Sequence, residues 1–217
     1  MSTRFRLVHL DLDGTLLDTR ADLTASTNHV RASFGLPPLA PESIYKLVGH
    51  GGRVLVERAL GPRPEETIDE GVARFLDHYG AHCLDHTVAY PGLVGMIDRL
   101  RPDGVVFSAV TNKPEFLARR ILDGLGLTPK LVAIVGGDTF PERKPDPRGV
   151  EHVRAVAGAS REDSLMVGDS PIDVETARRG GIACAGVLWG LDPDGLRPAA
   201  PDFLVEDAAA LERVIRG

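Results

Sequence analysis

The chain has 217 residues, of which 43% are hydrophobic and 26% are charged, and its formal net charge is −6 at pH 7. This composition is typical of a globular protein, and the length allows one large domain or one domain with a smaller insert. The negative charge argues against nucleic acid or a membrane surface as a partner.

The sequence also gives expectations about compartment. No apolar stretch is long enough to cross a bilayer, and no signal peptide precedes the first predicted strand. The two cysteines, Cys83 and Cys184, are far apart and form no Cys-x-x-Cys motif. We therefore expect a cytoplasmic protein without disulfide bonds, either a monomer or a homodimer.

The first predicted strand, residues 7–10, is followed directly by two aspartates, Asp11 and Asp13, and by Gly14. Carboxylates at the end of a buried strand are costly unless a metal or a reaction compensates for them. One alternative is a simple turn, and another is a fragment of a calcium loop. A calcium loop that began at Asp11 would need a glutamate at its twelfth position, and Asp22 stands there.

Residues 19–86 are predicted to be almost entirely helical, with helices over 19–34, 41–48, 53–60 and 64–84. The spacing of Thr19 and Asp22 predicts a capping box at the start of the first helix. The run Gly49-His50-Gly51-Gly52 interrupts the pattern before the third helix. This block therefore reads as an insert that leaves the core just after the acidic loop and covers it.

From Pro91 onward the predicted elements alternate between helix and strand. Helices are expected over 92–101, 114–125, 146–157, 171–179 and 207–216, with Asp146 as the N-cap of the third. Strands are expected over 104–110, 131–135, 164–167, 182–188 and 203–205. Such alternation predicts an α/β fold, a parallel sheet with helices on both faces. The predicted domains are a core of residues 1–17 and 87–217 and a helical cap of residues 18–86.

Four groups of polar residues follow predicted strands or precede helices at the same edge of this sheet. They are Asp11 with Asp13, Thr111 with Asn112, Lys144, and Asp169 with Ser170 and Asp173. Each has a structural alternative: Thr111 and Asn112 could cap a helix, Lys144 could be a solvated charge, and Ser170 with Asp173 has capping-box spacing. Folding needs alone do not explain the order and placement of all four.

These motifs resemble those of the haloacid dehalogenase superfamily of phosphatases. The matching residues are Asp11-x-Asp13-Gly14-Thr15, Thr111, Lys144 and Gly168-Asp169-x-x-x-Asp173. The resemblance covers essentially the whole chain, and it implies a Rossmann-like core with an inserted α-helical cap. Within the superfamily the chain is most similar to phosphoglycolate phosphatases, through the runs Val48-Gly49-x-Gly51, Tyr90-Pro91-Gly92, Thr111 to Pro114 and Lys144-Pro145-x-Pro147.

The resemblance implies a mechanism that agrees with the chemistry of these residues. Asp11 would attack phosphorus and form an aspartyl-phosphate, and Asp13 would act as general acid and then as general base. Mg²⁺ would be held by Asp11, Asp169 and the backbone carbonyl of Asp13. Lys144 would keep Asp11 ionised, and Thr111 and Asn112 would bind the phosphoryl oxygens. Asp173, with Ser170 beside it, would be a metal ligand or support one.

The cap is expected to select the substrate. Gly51 and His50 lie at a predicted helix start, whose backbone N–H groups could hold a carboxylate, and Lys46 and Arg53 flank them. This arrangement suits a small phosphorylated acid such as 2-phosphoglycolate. The alternative is an ordinary helix–helix turn with solvated charges. Closure of the cap over the core is a further hypothesis, motivated by the two chain crossings near Asp18 and Tyr90.

Other functions compete with this interpretation. A pyrophosphatase, a sugar-phosphate phosphatase or a mutase could use the same scaffold, and a silent binding protein would be expected to lack Asp11, Asp13 or Lys144. His78, His82 and His86 are spaced by four with Cys83 among them, which suggests zinc, but four tetrahedral ligands are not evident and a solvent-facing helix is favoured.

Overall fold

The computed structural model describes residues 3–217, which form eight strands and ten α-helices. The strands in chain order are β1 (Leu7–Leu10), β2 (Leu17–Asp18), β3 (Val88–Ala89), β4 (Val106–Val110), β5 (Ile134–Val135), β6 (Ser164–Gly168), β7 (Ala183–Val187) and β8 (Phe203–Val205). Six of them pair in parallel in the order β5–β4–β1–β6–β7–β8. The predicted α/β fold with a parallel sheet is confirmed.

The strand order places β1 at the point where the direction of winding reverses. The chain runs from β1 through β4 to β5, and then returns to the other side of β1 to form β6, β7 and β8. In register, Leu10 lies beside Ala109 on one side and beside Val167 on the other. The segments that follow β1, β4 and β6 therefore meet at one edge, which is where open α/β sheets bind ligands.

Helices cover both faces of the sheet because successive side chains of each strand point to opposite sides. The core helices are α5 (Leu93–Leu100), α6 (Glu115–Gly124), α7 (Arg148–Ala157), α8 (Pro171–Gly180), α9 (Pro193–Ala199) and α10 (Ala208–Arg216). On one face, Val8 and Phe107 pack with residues of α5, α6 and α10. On the other, Leu7 and Met166 pack with residues of α7, α8 and α9.

Four helices lie between the two points, near Asp18 and Tyr90, where the chain passes between the core and the helical block. They are α1 (Arg20–Ser33), α2 (Pro41–Tyr45), α3 (Gly52–Leu60) and α4 (Glu65–His82). The short strands β2 and β3 pair antiparallel at the two crossings and join the outgoing chain to the returning chain. This helical block falls within the predicted cap, and the exact division at residues 17/18 and 86/87 stays a prediction.

Several local predictions are wrong. Thr19 is the N-cap of α1 but makes no side-chain capping bond, because its hydroxyl and the carboxylate of Asp22 bind elsewhere. The N-cap of α7 is Pro147, while Asp146 accepts a hydrogen bond from the N–H of Arg148. The strand expected over 131–135 is only β5, and α9 was not predicted.

Other features agree with the sequence. The capping box between Ser170 and Asp173 is present at the start of α8. Cys83 and Cys184 are free and buried. Within the described part of the chain, no helix combines the length and the apolar character that a membrane span requires.

Candidate active site

Asp11 is the first residue after β1, and its position is fixed by both backbone and side chain. Its N–H donates to the carbonyl of Val167 at 3.0 Å, which holds the loop against β6. Its Oδ1 accepts a hydrogen bond from the N–H of Leu12 at 2.8 Å and lies 2.9 Å from Nζ of Lys144. Burial raises the pKa of Asp11 to about 6 and outweighs the opposing effect of Lys144.

Lys144 connects Asp11 to Asp173. Its Nζ lies 2.9 Å from Asp11 Oδ1 and 2.7 Å from Asp173 Oδ1, and all three side chains are buried. Burial by itself lowers the pKa of Lys144, but the two carboxylates outweigh burial and raise it. The lysine is therefore an ammonium ion fixed between two carboxylates, and it is not a solvated loop charge.

Asp173 is held by the start of α8. Its Oδ2 accepts hydrogen bonds from the hydroxyl of Ser170 at 2.7 Å and from the N–H of Ser170 at 3.2 Å, while Oδ1 faces Lys144. Gly168 leaves the space for this side chain, since a Cβ there would lie 2.1 Å from Asp173 Cγ. The capping box and the ion pair thus share one carboxylate.

Asp169 lies at the end of β6, where it is 3% exposed. Its oxygens accept hydrogen bonds from the hydroxyl of Thr15 at 3.3 Å and from the N–H of Leu191 at 2.7 Å. Among residues 3–217 it has no basic partner within salt-bridge distance, and burial followed by repulsion from Asp173 and Asp11 raises its pKa well above the usual range. Gly14 packs against it, with φ of 82° and a would-be Cβ 2.2 Å from Asp169 Oδ2.

The carboxylates at this edge fit a divalent cation. Ligand atoms of Asp11, Asp169 and Asp173 lie within 4.8 Å of one another, and all three residues are buried. Hard cations such as Mg²⁺ prefer carboxylate and carbonyl oxygens, and a cation would offset the repulsion that raises the pKa of Asp169. Asp173 pairs with Lys144 through Oδ1 and accepts from Ser170 through Oδ2. Oδ2 of Asp11 makes no hydrogen bond with the described residues, and Asp169 has no basic partner among them, so these two are the better candidates for direct ligands.

Asp13 lies on the cavity side of the same loop. Its Oδ1 accepts a hydrogen bond from the hydroxyl of Thr19 at 2.7 Å and lies 3.0 Å from Nζ of Lys113. Its Oδ2 makes no hydrogen bond with the described residues, so this oxygen is available to a ligand. The predicted capping role of Thr19 is replaced by this contact with the second aspartate.

Thr111 and Asn112 follow β4 and line the same cavity. The hydroxyl of Thr111 accepts a hydrogen bond from the N–H of Lys113 at 3.2 Å. The side-chain amide of Asn112 donates to the carbonyl of Gly49 at 2.8 Å and to that of Lys144 at 2.9 Å. One amide thus joins a cap loop to two core loops, and its Oδ1 is buried without a partner among residues 3–217.

A cavity of about 530 Å³ lies between the helical block and the sheet edge. From the core it is lined by Asp11, Asp13, Thr111, Asn112, Lys113, Asp169 and Ser170, and from the cap by Lys46, His50, Gly51, Phe75 and Tyr79, with other residues. Lys46 and His50 are exposed at its rim. Partial burial, with Arg58 and Arg143 nearby, lowers the pKa of His50.

The structure does not bring Arg53 into this cavity. Its guanidinium is bound to Glu57, Glu65 and Asp69 on the cap surface, at 3.1 Å from Glu57 and 2.7 Å from Asp69. Three carboxylates compensate its charge in solvent. The expectation that Arg53 binds substrate is therefore not supported by its position.

His29 of α1 and two histidines of α4, His78 and His82, form a stack on the cap surface. The rings of His29 and His78 are 4.0 Å apart and those of His78 and His82 are 4.5 Å apart. Nδ1 of His78 contacts the hydroxyl of Ser26, and Nδ1 of His82 contacts Asp85. Within residues 3–217 the only group with metal-ligand spacing is the buried aspartate cluster, so the zinc alternative gains no support.

Sequence reasoning missed Lys113 and Tyr79. Nζ of Lys113 donates to the Tyr79 hydroxyl at 2.8 Å and lies 4.4 Å from the centre of the Tyr79 ring. Burial lowers the pKa of Lys113, but Asp13 and Tyr79 outweigh burial and raise it. The position of Lys113 directly after Thr111 and Asn112 could have indicated it, whereas Tyr79 resembles any core residue of an amphipathic helix.

The protein combines a parallel α/β core with a helical cap, and a buried cluster of carboxylates and lysine lies beneath that cap. This fold and this site define a class of hydrolytic enzymes. The chain belongs to the haloacid dehalogenase-like hydrolases, since residues 8–187 match the model of that family. The superfamily predicted from the motifs is thus confirmed, and the chain is an enzyme of the hydrolase class.

Among the proteins most similar to this chain are two phosphoglycolate phosphatases. The phosphoglycolate phosphatase of Agrobacterium fabrum is 41% identical over 209 residues, which is 94% of this chain and 90% of that protein. Phosphoglycolate phosphatase 1 of Pseudomonas aeruginosa is 42% identical over 192 residues, or 85% of this chain and 70% of that protein. The crystal structure of a predicted phosphoglycolate phosphatase from Haemophilus somnus has a TM-score of 0.92 and 27% identity, with 98% of each chain covered.

Proposed function

We propose that this protein is a Mg²⁺-dependent phosphomonoester hydrolase that acts through an aspartyl-phosphate, with 2-phosphoglycolate as its substrate. The observation that carries the chemistry is Lys144, a buried ammonium between Asp11 and Asp173, with Asp169 and the free Oδ2 of Asp13 beside the same cavity. The names of the relatives support the choice of substrate.

In this proposal Asp11 is the nucleophile. Lys144 keeps its carboxylate ionised and fixes Oδ1, so that the other oxygen attacks phosphorus. Asp13 donates a proton from Oδ2 to the bridging oxygen as the leaving group departs, and later accepts a proton from the water that hydrolyses the aspartyl-phosphate. Thr111 and the backbone of Asn112 bind the phosphoryl oxygens.

Asp11, Asp169 and the backbone carbonyl of Asp13 would hold Mg²⁺. When bound, the cation neutralises charge on the phosphoryl group and allows it to approach the carboxylates. Asp173 acts through Lys144 and the start of α8, since both of its oxygens are already bound. The cap encloses the cavity and presents Gly51, His50 and Lys46 toward the substrate.

Phosphate release tests this function. We expect 2-phosphoglycolate to give the highest kcat/KM in a panel with pyrophosphate and sugar phosphates, and EDTA or Asp11→Asn to abolish turnover. Asp98→Asn, a surface aspartate paired with Lys130, is the matched control and should keep full activity. If pyrophosphate or a sugar phosphate leads instead, the substrate assignment is wrong; if Asp11→Asn remains active, the mechanism is wrong. The cytoplasmic location and the monomeric or dimeric state stay predictions.

A further inference from the structure

Lys113 is a buried cation that lines the cavity beside the proposed acid–base residue. The residue is 6% exposed, and its Nζ contacts Asp13 Oδ1 at 3.0 Å and the Tyr79 hydroxyl at 2.8 Å. An ammonium group has three N–H donors, and these two contacts use two of them. One donor of Lys113 therefore remains for a ligand in the cavity.

The two buried lysines of the site differ in their charge partners. Lys144 contacts two carboxylates, Asp11 and Asp173, whereas Lys113 contacts one carboxylate and one neutral phenol. A buried charge that loses its partner is strongly destabilising. Among the described residues Asp13 is the single carboxylate that compensates Lys113, and its Oδ1 is shared with the hydroxyl of Thr19.

A substrate can supply the second anion that Lys144 has and Lys113 lacks. In 2-phosphoglycolate the carboxylate carbon is two bonds from the bridging oxygen that Asp13 protonates. Because Asp13 contacts the bridging oxygen and Lys113 contacts Asp13, the substrate carboxylate lies within reach of the free donor of Lys113. Lys46, the alternative cation of the cavity, is exposed at the rim, where solvent weakens its attraction for an anion.

We propose that Lys113 binds the carboxylate of the leaving group and thereby selects acidic phosphomonoesters, with Tyr79 of the cap holding its ammonium in place. This inference rests on the proposed function and moves the main selectivity residue from the cap to the core.

The first test compares two isosteric substrates, 2-phosphoglycolate and its neutral amide, 2-phosphoglycolamide. We expect Lys113→Met to lower kcat/KM for the acid about 100-fold more than for the amide, since it removes one partner of a buried charge pair. Lys46→Met and the matched surface control Lys130→Met should each keep the acid-to-amide ratio within about threefold. Equal losses on both substrates, or a collapse of the ratio in Lys46→Met, would overturn the inference.

A second test does not depend on the folding of Lys113→Met or on turnover. Calorimetry with Mg²⁺ present measures binding of 3-phosphonopropionate, in which CH₂ replaces the bridging oxygen, and of 3-phosphonopropionamide. Asp13→Asn removes the protein's own anionic partner of Lys113, so we expect the preference for the acid to rise about tenfold or more. An unchanged preference would overturn the inference.

The two proposals fail in different ways. If pyrophosphate or a sugar phosphate gives the highest kcat/KM with the wild-type enzyme, the substrate assignment under the proposed function is wrong, and the inference falls with it. If 2-phosphoglycolate leads but the wild-type enzyme does not prefer it to its amide, or Lys113→Met keeps that preference, the substrate assignment stands and only the role of Lys113 is wrong.

Discussion

Asp22 connects the segment by which the chain leaves the core with the segment by which it returns. Its removal is expected to destabilise the protein. It lies in the first turn of α1 and is 2% exposed. Its carboxylate accepts hydrogen bonds from the N–H of His86 at 3.0 and 3.1 Å, the N–H of Thr87 at 2.9 Å and the hydroxyl of Thr87 at 2.7 Å. The outgoing helix is thus bound to the returning segment.

The size of the effect follows from the donors that Asp22→Ala leaves behind. His86 is exposed and its N–H can bind water, but Thr87 is only 3% exposed. Two buried hydrogen bonds to a charged group at about 1.5–3 kcal/mol each sum to about 3–6 kcal/mol, and partial relaxation favours the lower end. We therefore expect Asp22→Ala to lower the free energy of unfolding by about 3 kcal/mol.

Urea unfolding followed by circular dichroism measures this loss, and the corresponding decrease in Tm is about 6–12 °C for a protein of this size. Asp22→Asn keeps one acceptor oxygen and should lose about half as much. Asp77→Ala, an exposed position on α4, is the matched control and should change stability by less than about 0.5 kcal/mol. A loss below about 1 kcal/mol in Asp22→Ala would refute the reasoning, since it would mean that water replaces the carboxylate at Thr87.

Three further predictions concern the buried polar groups. Burial lowers the pKa of His9 to about 3, whereas the unfolded chain titrates near 6.5, so only the unfolded state gains a proton as the pH falls between these values. Stability should therefore be complete above pH 6.5 and fall by about 2–3 kcal/mol on going to pH 4.5, and urea unfolding of His9→Asn should show a shallower slope. Lys144→Met should lower kcat by about 10²–10³-fold with a native circular-dichroism spectrum, and full activity would contradict its placement at Asp11. Gly168→Ala should lower both Tm and kcat, because its Cβ would overlap Asp173, and an unchanged Tm would show that Asp173 can move without cost.

The loop after β4 is a second polar link between cap and core, besides the contacts of Asp22. Asn112 donates to the carbonyl of Gly49, and Lys113 donates to the hydroxyl of Tyr79, so two successive residues contact different cap elements. Thr111, which precedes them, is the proposed phosphoryl ligand. Any movement of the cap would therefore shift or break hydrogen bonds made by the phosphoryl-binding loop. Cap closure itself stays a hypothesis.

The sequence by itself determined the arrangement of elements and the location of the site. Buried strands of four to five residues alternate with amphipathic helices. The hydrophobic periodicity of each element is a property of its own sequence, so it predicts the element without knowledge of what packs against it. The aspartates after β1 and β6 could be placed together because the carboxyl ends of parallel strands meet at one edge. The glycines and prolines at element ends likewise act through their own backbone.

Only the tertiary structure decided which partners the long polar side chains take. Thr19 and Asp22 have capping-box spacing, yet Thr19 binds Asp13 and Asp22 binds Thr87. The fold brings the loop after β1 and the segment before β3 next to these two side chains, and they bind there instead of capping α1. Arg53 faces three carboxylates of the cap surface, and Lys113 joins Tyr79 to Asp13 across the cavity. Spacing along the chain specifies a helix face or a strand end, but a charged group binds whatever packing brings within about 3 Å of it, and that is set by the whole fold.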